Sequence, residues 1–154
     1  MKFYNREDEM KLIRQTEERS RSTACFTAIM GRRRVGKTTL LRKALEGKKY
    51  IYLFVSRTSE VLLCDAFKRE ITDTLSIPIY GTPTRFRDLF ELLMQHAASE
   101  HFTLIIDEFQ DFDRVNPSIF SDIQNMWDRY SPLAKINFIV CGSIYSLMKH
   151  IFED

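Results

Sequence analysis

The chain is poor in the residues that staple, anchor or break a fold. Its 154 residues include three cysteines, one tryptophan, four prolines and five glycines. Cys25, Cys64 and Cys141 are odd in number and far apart, which suits neither a disulfide framework nor a zinc site. Cys25 and Cys141 fall in apolar runs, where a free thiol behaves as a small hydrophobe. His96, His101 and His150 have no metal-ligand spacing. No apolar stretch approaches the roughly 18–20 residues of a membrane helix. The start, Met1 to Glu7, lacks the apolar core of a secretory signal. There is no internal repeat and no low-complexity linker. These absences predict one globular domain over residues 1–154 in a reducing, cytoplasmic compartment, with no membrane contact.

Charge is nearly balanced overall, at +2, but unevenly spread. Lys11 to Lys49 holds twelve Lys and Arg against three Glu. Glu100 to Asp128 holds seven acids against one Arg. Solvated helix faces account for such blocks. The basic half also admits a nucleic-acid surface.

Residues 31–38 read Gly-Arg-Arg-Arg-Val-Gly-Lys-Thr, a full G-x-x-x-x-G-K-[ST] phosphate loop. The flanks fit it. Ala24 to Met30 reads as a buried strand, and Lys37 to Leu45 as a helix closed near Gly47. Gly31 and Gly36 permit backbone conformations that a side chain would block. The N–H groups of the loop, Arg34 and Val35 included, then converge on an anion at the positive end of the helix. Lys37 adds a charge on the β- and γ-phosphates, Thr38 offers its hydroxyl to Mg²⁺, and Thr39 falls beside the α-phosphate. Arg32 and Arg33 fill variable positions, and no loop arginine is assigned catalysis.

A second motif, Leu104-Ile105-Ile106-Asp107-Glu108, is an apolar run ending in two acids. A carboxylate at the end of a buried strand is costly without a cation. Asp107 is therefore assigned to Mg²⁺, and Glu108 to orienting the attacking water. Ser143 has two readings: a contact to the γ-phosphate or water, or the N-cap of a last helix.

Around these motifs the periodicity alternates strands and helices. Asn5 caps a first helix over Arg6 to Arg19. Tyr50 to Val55 is a second strand. Leu63, Phe67, Ile71 and Leu75 mark one helix face. Thr82 and Pro83 signal the cap and first turn of another helix, with Phe86, Leu89, Phe90 and Leu93 on its apolar stripe. Phe102 to Ile106 is the third strand. Asn116-Pro117 opens a helix with Ile119, Ile123, Met126, Trp127 and Tyr130 inward. Ile136 to Cys141 is the fourth strand. Fully apolar strands alternating with helices predict an α/β fold, a parallel sheet with helices on both faces.

The order of elements resembles the additional-strand branch of P-loop NTPases, in which one strand is inserted between the loop strand and the Asp-Glu strand. More closely, the chain resembles the prokaryotic AAA+-like ATPases of the archaeal ATPase family, related to STAND and origin-recognition ATPases. The signature residues are Phe3-Tyr4-Asn5-Arg6-Glu7, the phosphate loop, Asp107-Glu108-Phe109-Gln110 and Cys141-Gly142-Ser143. The resemblance implies an ATP- or ADP-binding, Mg²⁺-dependent hydrolase. It implies adenine contacts for Asn5 and Arg6, and the sensor-1 position for Ser143. Family members continue into a fifth core strand, an arginine-finger region and a helical lid. The chain is accordingly read as the N-terminal portion of a longer protein, whose partner would be a protein or DNA.

Two enzyme rivals fail on the residues. A superfamily 1 helicase shares Asp107-Glu108-Phe109-Gln110-Asp111 but places far more chain between its motifs. A GTPase would carry Asn-Lys-x-Asp and Asp-x-x-Gly. The remaining alternative is a nucleotide-gated switch with little or no turnover, in which γ-phosphate contacts bias a conformational equilibrium.

Overall fold

The computed structural model describes residues 3–4, 6–31, 36–143 and 151, with side chains from residue 10 onward in those ranges. Five parallel strands form one sheet: β1 (Phe3–Tyr4), β2 (Cys25–Met30), β3 (Tyr50–Phe54), β4 (Phe102–Asp107) and β5 (Ile136–Gly142). Their spatial order is β1-β2-β5-β4-β3. β5 thus stands between the loop strand and the Asp-Glu strand, as the resemblance implied. The fifth place in the sheet belongs to β1, a segment whose strand character was not read from the sequence.

Six helices complete the described fold: α1 (Arg6–Arg19), α2 (Lys37–Ala44), α3 (Glu60–Leu75), α4 (Phe86–His96), α5 (Phe112–Val115) and α6 (Ser118–Tyr130). Strand alternation divides the core in two. On β5, Ile136, Phe138 and Val140 face the larger cluster, with Leu63, Phe67, Phe90 and Ile123 of α3, α4 and α6. Ile139 and Cys141 face the smaller cluster, with Ile13 of α1 and Leu41 of α2. β4 and β5 are buried along their whole length. Each is packed on both faces and mostly apolar, with Thr103, Asp107 and Asn137 as the polar exceptions, which is why neither shows a polar-apolar alternation.

Two boundaries depart from expectation. α4 begins at Phe86, four residues past Thr82, and Pro83 lies in the preceding coil. The cause is tertiary: Glu60 Oε2, from the first turn of α3, accepts from Phe86 N at 2.9 Å and caps the helix from outside. α5 and the 3₁₀ turn Phe109–Asp111 before it were not foreseen. Asn116 does open α6: its Oδ1 accepts from Ser118 N at 3.1 Å. The expected cap at Asn5 and most of the expected last helix lie outside the described residues.

Candidate functional site

The motifs meet where β2, β4 and β5 end. Met30 pairs with Gly142 and Ile106 with Val140, so the strands finish nearly level. Gly31 N donates to Gly142 O at 3.1 Å and carries the ladder one residue into the phosphate loop. Gly36 then sits at φ 80° and starts α2 with no side-chain cap and no acid in its first turn. Such a helix end leaves its N–H groups to an anion.

A cleft of about 460 Å³ opens there, lined by Gly36, Lys37, Thr38, Tyr52, Phe54, Asp107 and Glu108. Lys37 is buried, and its Nζ donates to Gly142 O at 3.1 Å. The ammonium carries three donors, so this bond tethers it and spares the others for phosphate oxygens. Thr38 is half-buried on the same wall, while Thr39 is exposed.

Asp107 reaches the cleft by strand alternation. It falls on the face of Thr103 and Ile105, which is the face of α1 and α2. Asp107 is 8% exposed. Its Oδ1 accepts from Glu108 N at 2.8 Å, and its Oδ2 accepts from the Tyr52 hydroxyl. Burial, reinforced by the hydrogen bond to Asp107, pushes the Tyr52 hydroxyl well above the usual phenol range, so it remains a donor. Among the described residues Asp107 forms no ion pair. A buried carboxylate facing a threonine hydroxyl, with lone pairs to spare on both oxygens, is a hard-oxygen donor set and fits Mg²⁺. No group of three or more His, Cys, Asp and Glu able to hold a metal occurs among the described residues. Water and phosphate oxygens would therefore supply the other ligands.

Glu108 is 4% exposed and adopts left-handed backbone angles, φ 53° and ψ 43°. A non-glycine residue held there stores roughly 1–3 kcal/mol of strain. Its Oε2 accepts from Gln110 Nε2 at 2.8 Å and from Ser143 Oγ at 3.2 Å. Asp111 N donates to Glu108 O at 2.9 Å, and Asp111 Oδ2 lies 3.7 Å from Arg57 Nε. The turn after β4 is thus tied to the loop after β3.

The structure brings together Gly31, Gly36, Lys37, Thr38, Asp107, Glu108 and Ser143. Of the two readings of Ser143, its described side-chain contacts are with Glu108 and Gln110, and residues 144–150 are not described. Asn5, Arg32, Arg33, Arg34 and Val35 lie outside the described residues, as does the Arg6 side chain. Tyr52, Phe54 and Gln110 were missed as site residues. Tyr52 and Phe54 were hidden inside an apolar strand. The signal available for Gln110 was its place two residues after Glu108.

Three comparisons bear on this arrangement. An uncharacterised protein of Methanocaldococcus jannaschii is 27% identical over 146 residues, which are 95% of this chain and 30% of that one. A Walker-type ATPase of Pyrococcus abyssi superposes with a TM-score of 0.64 at 20% identity, over 97% of this chain and 49% of that one. Cdc6p from Pyrobaculum aerophilum gives 0.61 at 20% identity, over 94% and 40%. At such identity the two solved structures establish a shared fold, that of P-loop ATPases. The chain spans less than half the length of these three proteins. The family model for an ATPase domain found predominantly in Archaea matches residues 3–153. The chain belongs to that archaeal ATPase family.

Proposed function

We propose that this chain binds ATP with Mg²⁺, hydrolyses it, and couples hydrolysis to a conformational change in a protein or nucleic-acid partner within the cytoplasm. One observation carries the reading: Lys37, Thr38, Asp107 and Glu108 line a single cleft at the mouth of an uncapped helix. The division of labour follows from the donors. Gly31, Arg34, Val35, Gly36 and Thr39 belong to the phosphate cradle, and Lys37 neutralises the β- and γ-phosphates. Thr38 and Asp107 hold Mg²⁺, which when bound offsets charge on the phosphate oxygens. Glu108 orients and polarises the attacking water, with Ser143 beside it. Asn5 and Arg6 are assigned to the adenine side.

The partner is the least constrained element, and only the basic surplus of residues 11–49 supports a nucleic acid. Turnover with and without DNA tests it. The rival is a nucleotide-gated switch, and Glu108 separates the two. Calorimetry with Lys37→Ala should show ATP affinity lost, and unchanged affinity would sink the nucleotide assignment. Glu108→Gln should keep ATP yet lose turnover by about two to three orders of magnitude. A parent protein that binds ATP without measurable turnover would favour the switch.

A further inference from the structure

The turn after β4 holds more polar chemistry than a phosphate cleft requires. Gln110 is 1% exposed, in the same turn as the buried Phe109 and Phe112. Among the described residues its amide bonds two side chains of the site: Nε2 donates to Glu108 Oε2 at 2.8 Å and lies 3.5 Å from Ser143 Oγ. Ser143 Oγ in turn donates to the same Glu108 oxygen at 3.2 Å. The three side chains close a triangle on one carboxylate oxygen.

The other end of the amide is unsatisfied. Among the described residues, Gln110 Oε1 is buried and has no hydrogen-bond partner. Turning the amide over would set a carbonyl oxygen against the Glu108 carboxylate, acceptor on acceptor. The acceptor oxygen of Glu108 therefore dictates the orientation of the amide, and the bond between them offsets the orphaned carbonyl. A glutamine serving only the packing of this turn would have no need of such an arrangement. Glu108 also holds left-handed backbone angles, so its main chain and its side chain are both constrained.

We infer that Gln110 is a positioning residue for hydrolysis: its amide, with the Ser143 hydroxyl, fixes the rotation of the Glu108 carboxylate toward the attacking water. This rests on the reading of Glu108 as the water-polarising carboxylate. Gln110 does not line the cleft, so it acts through Glu108 and not on the nucleotide.

The test is a double-mutant cycle in the intact protein, read by single-turnover ATP hydrolysis and by ATP affinity. Gln110→Met keeps the length and bulk and removes the donor. It should lower the hydrolysis rate about 10- to 100-fold, the scale of a misplaced catalytic group, with ATP affinity held within about twofold. In the Glu108→Gln background it should cost nothing further, because the group it acts through is gone. An unchanged rate in the parent background overturns the inference. So does an equal loss in both backgrounds, which is the signature of general structural damage. If Gln110→Met fails to fold, Gln110→Glu keeps the shape and sets a like charge against Glu108. It should lose rate while keeping ATP, and a parental rate in that variant also overturns the inference. Parental turnover in Glu108→Gln alone would refute the reading of Glu108 itself, a different failure.

Discussion

Tyr52 illustrates what a single side chain decides at this site. Its hydroxyl donates to Asp107 Oδ2, and it lines the cleft with Asp107 and Thr38, the two residues assigned to Mg²⁺. A partner bonded to a metal-binding carboxylate sets its orientation, and its loss commonly costs 10- to 100-fold in metal affinity. Tyr52→Phe should therefore raise the Mg²⁺ concentration for half-maximal turnover by about tenfold or more. ATP turnover against Mg²⁺ concentration checks this, and superimposable curves would detach Tyr52 from the metal. The sequence presented Tyr52 only as part of an apolar run. Asp107 and Glu108 were legible because acids ending a buried strand demand an explanation. Gln110 was quoted as part of a signature, but its bond to Glu108 depends on the 3₁₀ turn that folds the chain back on itself.

At the scale of elements, α1 is fastened to the sheet by polar groups as well as by Ile13. Buried Glu17 accepts from Asn137 Nδ2 at 3.0 Å and from the Thr103 hydroxyl, joining α1 to β5 and β4. Glu17→Ala would strand two buried donors, at about 1–3 kcal/mol for each group left unsatisfied. In a domain of this size each kcal/mol lowers Tm by about 2–4 °C. A melting temperature unchanged in that variant would refute the clamp. Nearby, Ser20 Oγ donates to Glu17 O at 2.8 Å and spends its proton there. The 2.8 Å contact between Ser20 Oγ and His101 Nε2 then makes the imidazole the donor. Burial, helped by Arg21 and Lys48 and opposed by Glu17, lowers the His101 pKa below its ordinary value. Below about pH 6.5 the unfolded chain protonates this histidine while the folded chain resists. The unfolded state then binds more protons, so stability is full above that pH and declines as pH falls through the window. His101→Gln should shrink the difference in Tm between about pH 7.5 and about pH 5.5. An undiminished difference would place the acid sensitivity elsewhere.

For the whole molecule, the expected consequence of ligand is stabilisation by mass action. Mg-ATP at about a hundredfold excess over Kd should add ~2.7 kcal/mol to the folded state. A thermal scan should show the rise in the parent and in Glu108→Gln but not in Lys37→Ala. A rise in all three would mean that the nucleotide binds elsewhere. Turnover of the 154-residue chain should be slow, because stabilising the transferring phosphate commonly takes an arginine and none is assigned here. A longer chain carrying the residues that relatives have beyond this span is the comparison. Equal specific activity would show that the 154 residues suffice.

The sequence alone determined what is local. α1 ran from Arg6 to Arg19 as read, and Leu63, Phe67, Ile71 and Leu75 turned one face inward, because helical spacing is written in neighbouring residues. The G-x-x-x-x-G-K-[ST] motif was equally plain, since it is written within eight positions, and its Gly36, Lys37 and Thr38 line the cleft. Only the tertiary structure decided what depends on contacts across the chain. It added Phe3–Tyr4 to the sheet edge beside β2. It let Glu60 move the start of α4 past Thr82, and it joined Ser143 and Gln110 on Glu108. Those partners lie as far as 35 residues apart, and no local preference encodes which of many polar side chains will meet. Pairing at that range is settled by the packing of the sheet, which brings three strand ends level and sets these donors against the buried carboxylate.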